Sequence, residues 1–139
     1  MSRITMEEIA IRMSRIMAQR SEDPWTKVGA VALTSDNRII ATAYNGLLPK
    51  FTIEDDHFPG KFNRDARLSY MIHAEQNLCS LIRRGEATWC AITHSPCPSC
   101  LLLLACHGIK RVLYDEPYER DQRSIDVAKF YNIELVQYK

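Results

Sequence analysis

Residues 88–114 read Thr88-Trp89-Cys90-Ala91-Ile92-Thr93-His94-Ser95-Pro96-Cys97-Pro98-Ser99-Cys100-Leu101-Leu102-Leu103-Leu104-Ala105-Cys106-His107-Gly108-Ile109-Lys110-Arg111-Val112-Leu113-Tyr114. Two short runs rich in apolar and β-branched residues, 88–93 and 110–114, flank a segment punctuated as a helix over 97–107, closed by Gly108. Strand, helix and strand in this order need a crossover connection, which places the fold in the α/β class. Downstream the alternation continues, with a helix over 124–131 and a short strand over 133–136. Upstream, a helix is expected over 65–84, ended by Gly85, with Leu68, Ile72, Leu78 and Leu81 among its apolar positions. Residues 27–33 and 38–43, separated by Ser35, Asp36 and Asn37, read as a β-hairpin, so the sheet is mixed. A first amphipathic helix over 5–21 carries Ile9, Met13, Ile16 and Met17 at helical spacing, and Thr5 with Glu8 forms a capping-box start. Residues 47–64, with Pro49, Pro59, Gly60 and three acidic residues, form a long loop. Helices are expected on both faces of the sheet.

The chain has 139 residues, 46% hydrophobic and 25% charged, with 18 Lys and Arg against 17 Asp and Glu. At this length a chain buries roughly two thirds of the surface its unfolded form exposes, so residues 1–139 are expected to form one domain with its own core. A formal net charge of +1 lacks the field of strongly basic nucleic-acid binders and disfavours a polynucleotide partner. The longest apolar run, Leu101 to Cys106, is far below the ~20 residues of a membrane span, and the N-terminal segment has no apolar signal core. A cytoplasmic protein without a membrane partner is the expectation. Five cysteines in a reducing compartment stay free, and the odd count raises the question of which bind metal or do chemistry. The run from Leu101 to Cys106 makes its helix apolar all round, which predicts burial against a second copy of the chain. Enclosure within one domain is the plainer alternative.

Cys97 and Cys100 stand three positions apart at a helix start, where both sulfurs point the same way and the helix N-terminus favours thiolates. His73-Ala74-Glu75 precedes them by one strand. One imidazole and two thiolates suit zinc, and three protein ligands leave the fourth tetrahedral position to water, as in catalytic zinc sites. Glu75, about 200° of helix beyond His73, need not be a ligand and can stand beside that water as a proton carrier. Plainer readings compete. Cys97 and Cys100 alone also fit a thioredoxin-like redox pair, whereas a structural zinc ribbon wants a second close pair that Cys79, Cys90 and Cys106 do not supply. Those three read as small buried hydrophobes. His94 and His107 read as hydrogen-bonding residues, and Trp25 and Trp89 as packing residues, with Trp25 placed to edge a pocket. Arg83 and Arg84 read as cations at a helix end or as a phosphate site.

H-x-E together with P-C-x-x-C resembles the signature of the zinc-dependent cytidine and deoxycytidylate deaminases. Thr26-Lys27-Val28-Gly29-Ala30-Val31, Tyr44-Asn45-Gly46, His73-Ala74-Glu75-Gln76-Asn77, Ser95-Pro96-Cys97-Pro98-Ser99-Cys100 and Gly108-Ile109-Lys110 occur in the family's order. Tyr114 through Tyr118 fits a segment that often ends in Tyr, and the combination is most similar to the deoxycytidylate deaminase branch. The resemblance implies a three-layer α/β/α sandwich with a mixed five-stranded sheet. It implies zinc held between two helix N-termini by His73, Cys97 and Cys100, with Glu75 as general acid and base. The implied reaction is hydrolytic deamination of dCMP to dUMP with release of ammonia, feeding thymidylate synthesis.

The same resemblance implies substrate contacts residue by residue. The Ala74 backbone N–H donates to the pyrimidine carbonyl, the Ser95 carbonyl receives the amino group, Asn45 contacts the sugar and Tyr118 lies near the nucleotide. Lys27 is the nearest basic residue in a matched motif and the candidate partner of the phosphate, although strand alternation also allows it to point outward. Residues 47–64 contain His57 and no Cys, so one zinc ion per chain is expected. Homo-oligomers are implied, dimers assembled into larger rings and commonly hexamers. Within the superfamily the alternative substrates are dCTP, a free nucleoside or base, or a tRNA base. A zinc-stabilised binding module without catalysis is the alternative of another class, and Glu75 argues against it.

Overall fold

Thr5 caps the first helix as its spacing from Glu8 predicts, its hydroxyl accepting from the Glu8 N–H at 3.1 Å, and α1 spans Met6–Gln19. The computed structural model describes residues 2–117 and 122–139, so Tyr118 lies outside the described residues. After α1 come β1 (Gly29–Leu33), β2 (Ile39–Tyr44), the single turn α2 (Arg64–Arg67), α3 (Ala74–Ser80), β3 (Trp89–His94), α4 (Pro98–Cys106), β4 (Arg111–Glu116), α5 (Gln122–Phe130) and β5 (Glu134–Gln137). The strands form one sheet in the order β2-β1-β3-β4-β5. β1 runs antiparallel to both its neighbours, while β3, β4 and β5 are parallel and joined through α4 and α5. The sheet is mixed and five-stranded, as the hairpin and the crossovers require.

Side-chain alternation divides the core in two. Ala30 and Ala32 of β1, Cys90 and Ile92 of β3 and Val112 of β4 face α3, α4 and α5, where Leu78, Leu101 and Leu104 are fully buried. Val31 and Leu33 of β1, Trp89 and Ala91 of β3 and Leu113 of β4 face α1 through Ala10 and Ile11. Helices therefore cover both faces. Arg15 of α1 clamps Asp115 of β4 with two hydrogen bonds of 2.7 and 2.8 Å, and that pairing holds the Asp115 carboxyl below its ordinary range.

One expectation needs correction. The helix predicted over 65–84 is broken: after α2 the chain leaves helical geometry, and Ile72 exchanges two backbone hydrogen bonds with Gly46, 2.7 and 3.0 Å long. His73 then lies extended, with φ −69° and ψ 151°, and caps α3 instead of standing inside a helix. The 200° separation of His73 and Glu75 on one helix does not hold. Leu68 and Leu81, assigned to the apolar stripe, are exposed. α3 ends at Ser80, so Arg83 and Arg84 lie beyond its last turn; Arg83 donates its N–H to Glu86 and Arg84 reaches the Cys106 sulfur at 3.5 Å.

One reading of the cysteines also changes, and α4 is only partly covered. Leu101 and Leu104 are enclosed by this chain, but Leu102 is 43% exposed and Cys106 is exposed, so an apolar strip of the helix remains uncovered. Cys79 and Cys90 are buried hydrophobes as expected; Cys106 is not. No helix among the described residues is long and apolar enough to cross a membrane.

At Gly29 of β1 the sheet lies so close to α1 that an added Cβ would overlap the Ser14 carbonyl oxygen and the Ala18 nitrogen. Both obstacles are backbone, so they cannot rotate away. Gly29→Ala is expected to destabilise the fold by about 3 kcal/mol or more in urea unfolding, at the upper end of overpacking effects. A change within about 0.5 kcal/mol, the range of ordinary surface substitutions, would show that α1 does not pack this closely.

Candidate active site

Each residue of His73-Ala74-Glu75-Gln76-Asn77 has a local task. Gln76 reaches back to accept from the His73 N–H at 2.8 Å, which fixes the start of α3. Asn77 donates to the Tyr44 carbonyl at 2.8 Å and ties α3 to the end of β2. Ala74 and Glu75 are buried in the first turn. Opposite them, β3 runs out at His94, and Pro98 at the first helical position starts α4 with Cys97 as its cap. Ser124 of α5 donates to the Pro96 carbonyl at 3.0 Å and holds this turn in place.

Two helix starts thus meet. The Cys100 sulfur is 3.4 Å from His73 Nδ1, and the ligand atoms of His73, Cys97 and Cys100 all lie within 4.8 Å of one another. That spacing suits an ion held at the ~2.0–2.3 Å bond lengths of zinc to nitrogen and sulfur. The donor set, two soft sulfurs and an imidazole, also favours zinc over the harder oxygen-seeking ions. One of the two thiols is already polarised for it. Cys97, accepting a hydrogen bond from Cys100, has its pKa lowered to about 5. Cys100 is raised by that pairing and by burial. Glu75 is 5% exposed, and burial raises its carboxyl above the usual range while its side chain reaches the Cys100 thiol. A raised carboxyl holds a proton more firmly than a free one, which suits a group that carries protons.

The cluster opens on a cleft lined by residues from four separate segments, among them Asp23, Asn45, Arg67, Met71, Glu75 and Ser95.

Comparison with known proteins agrees with this geometry. The family model described as the cytidine and deoxycytidylate deaminase zinc-binding region matches residues 5–116. The chain belongs to that family. It is 35% identical over 133 residues to a probable deoxycytidylate deaminase of Drosophila melanogaster, covering 83% of this chain and 64% of the fly protein. It is 30% identical over 126 residues to a deoxycytidylate deaminase of Mycobacterium phage D29, covering 82% of this chain and 97% of the phage protein. The crystal structure of the cyanophage S-TIM5 dCMP deaminase with dCMP and dUMP shares the fold, with TM-score 0.78 and 24% identity over 99% of this chain and 100% of that one.

For a deaminase of this family, the structure brings most of the expected residues together. Asn45, His73, Ala74, Glu75, Ser95 and Cys97 all line the cleft, and Cys100 stands behind His73. Lys27 does not join them: its neighbours Thr26 and Val28 line the cleft, while Lys27 is exposed. Asn45 is more constrained than a plain sugar contact. Its amide donates to the Thr26 carbonyl at 2.9 Å and to Asp23 at 3.3 Å, and its oxygen accepts from the Val28 N–H at 2.9 Å. His94 lines the cleft and pairs with Thr93 Oγ1 at 3.0 Å. Trp25 does not line the cleft but covers Arg67 at 5.1 Å from ring centroid to guanidinium.

Sequence reasoning missed Asp23 and Arg67. They form a buried ion pair of 2.8 Å, with side chains 0% and 5% exposed. Asp23-Pro24 announced a turn, and Asp23 does accept from the Trp25 N–H at 2.8 Å. Its long-range partner had no local signal.

Removing metal should expose the difference between the thiols. After chelation, iodoacetamide is expected to modify Cys97 well ahead of Cys79, whose pKa is raised to about 11 by burial. The Cys97 rate should fall as pH drops through about 5, because only the thiolate reacts. Zinc should protect it. Equal rates at Cys97 and Cys79, or no protection by zinc, would contradict this arrangement.

Proposed function

We propose that this chain deaminates dCMP to dUMP by hydrolysis, with zinc held by His73, Cys97 and Cys100. The observation that carries the reading is the buried Glu75 carboxyl on the wall of a cleft, beside a cluster of three ligands. The matched family and the names of the relatives favour a deoxycytidylate substrate over the other cytosine compounds. Zinc, when bound, supplies the Lewis acidity that gives water hydroxide character near neutral pH.

Glu75 takes a proton from the attacking water and delivers it to N3 of the ring as the new C–O bond forms at C4. Glu75 then takes the proton of the new C4 hydroxyl and passes it to the amino group, the C4–N bond breaks as the C4 carbonyl forms, and ammonia leaves. One water is consumed and the carboxylate is regenerated. Burial of Glu75 keeps bulk water from competing for the proton. The Ala74 N–H donates to the pyrimidine carbonyl, and the Ser95 carbonyl accepts from the departing amine. With both amide hydrogens of Asn45 engaged inside the protein, a sugar hydroxyl meets it by donating to its oxygen.

Two further elements belong to this reading. The uncovered strip of α4 at Leu102 and Cys106 is a contact between copies of the chain, and a mass measurement giving a monomer at micromolar concentration would contradict that. The free thiols among the described residues suit a reducing, cytoplasmic setting.

The test follows ammonia release by the zinc-loaded protein from dCMP, dCTP, deoxycytidine, cytosine and adenosine-containing RNA. Turnover should be fastest with dCMP and yield dUMP; faster turnover of dCTP would overturn the substrate. Glu75→Gln should retain one zinc per chain and lose on the order of 10³-fold in kcat, within the usual span for a general acid–base. A near-normal rate would remove Glu75 from this role.

A further inference from the structure

We infer that Arg67 binds the 5′-phosphate of the substrate and so makes the cleft selective for a nucleotide over a nucleoside. This rests on the reading of the cleft as a deoxycytidylate site. Arg67 ends the one-turn helix α2 and lines the cleft. Its side chain is 5% exposed, yet its Nε is buried with no hydrogen-bond partner. A guanidinium has five N–H donors in a planar fork and cannot shed its charge. Leaving part of that fork unbonded in a buried position is unfavourable unless a ligand completes it.

Asp23 does not complete it. NH1 of Arg67 is 2.8 Å from Asp23 Oδ2, but the same carboxylate also accepts from the Trp25 N–H at 2.8 Å, the Thr26 N–H at 3.3 Å and Asn45 Nδ2 at 3.3 Å. It accepts from four donors, three of them neutral groups that hold the turn, and none of these contacts reaches the Nε–H of Arg67, which stays without an acceptor. The other cationic or titratable bases among the described lining residues are His73, a metal ligand in this reading, and His94. Arg67 is the permanent cation.

Its position is fixed from two sides. Trp25 lies across the guanidinium at 5.1 Å, and Gly60 packs so closely that a Cβ there would overlap the Cα and Cβ of Arg67. Asn45, the residue assigned to the sugar, shares Asp23 Oδ2 with Arg67. The sugar contact and the cation are thus neighbours through one carboxylate oxygen, as a sugar and its 5′-phosphate are neighbours in a nucleotide. A phosphate also offers the planar pair of acceptors that suits a guanidinium fork better than an ammonium.

Calorimetry on the zinc-loaded full chain, with dUMP and deoxyuridine as probes, tests this. The wild type should bind dUMP more tightly than deoxyuridine. Arg67→Gln should reduce that preference roughly 10- to 100-fold, the weight of one or two hydrogen bonds to a charged group. Arg67→Lys, which keeps the charge but not the fork, should retain an intermediate preference, and it carries the test if the Gln variant does not fold. A wild type that binds both probes equally would overturn the inference. So would variants that weaken both equally, which would make Arg67 a purely structural partner of Asp23. Absence of dCMP turnover alongside an Arg67-dependent preference for dUMP would instead strike the proposed reaction and leave the phosphate contact standing.

Discussion

Gly46 and Ile72 exchange two backbone hydrogen bonds, and the position of the His73 imidazole depends on them. An uninterrupted helix through this region would place His73 in mid-helix. The bridge instead straightens the chain just before His73, so that α3 starts there and its first turn meets the first turn of α4. Gly46 directly follows Asn45, whose side chain holds Thr26, Val28 and Asp23. One short antiparallel contact thereby joins the metal cluster to the sugar side of the cleft. Asn77, bonded to the Tyr44 carbonyl, braces the same junction one turn further on.

Around that junction the electrostatics follow from burial. Glu75 is enclosed and its carboxyl is raised, while Cys97 next to it is lowered by the hydrogen bond from Cys100. A carboxyl that holds its proton more firmly and a thiol that gives one up, side by side, divide the labour of proton transfer and metal binding between neighbours. Asp23 and Arg67 form a second buried charged pair in the same wall. Ion pairs of this kind are poor sources of stability, because desolvation offsets most of their attraction. At this cleft wall the pair leaves the buried Arg67 Nε without a hydrogen-bond partner.

Local signals made much of this molecule legible. Thr5 with Glu8, the Asn37 turn between two apolar runs, Pro98 after Cys97 and Gly108 after α4 each act within a few residues, and the elements they mark stand where the chain predicts. The cluster was legible because His73, Cys97 and Cys100 belong to short motifs whose chemistry is particular to metals. What could not be read were contacts between distant segments. The helix period ran on through Leu68 and Ile72 because nothing near them announces Gly46, 26 positions away, although Gln76 three residues after His73 was an available cap signal. Arg67 looked like any surface arginine until Asp23 and Trp25 closed on it. Lys27 stands in a matched motif, but it lies before the start of β1 at Gly29, and its neighbours Thr26 and Val28 line the cleft in its place.

The central claim is that the chain folds so as to offer one imidazole and two thiolates to a single ion while leaving a position for water. X-ray absorption at the zinc edge of the reconstituted protein measures this directly. Two sulfurs at ~2.3 Å and two lighter atoms at ~2.0–2.1 Å are expected, one the His73 nitrogen and one exchangeable. A shell with three or four sulfurs, or with none, would contradict it.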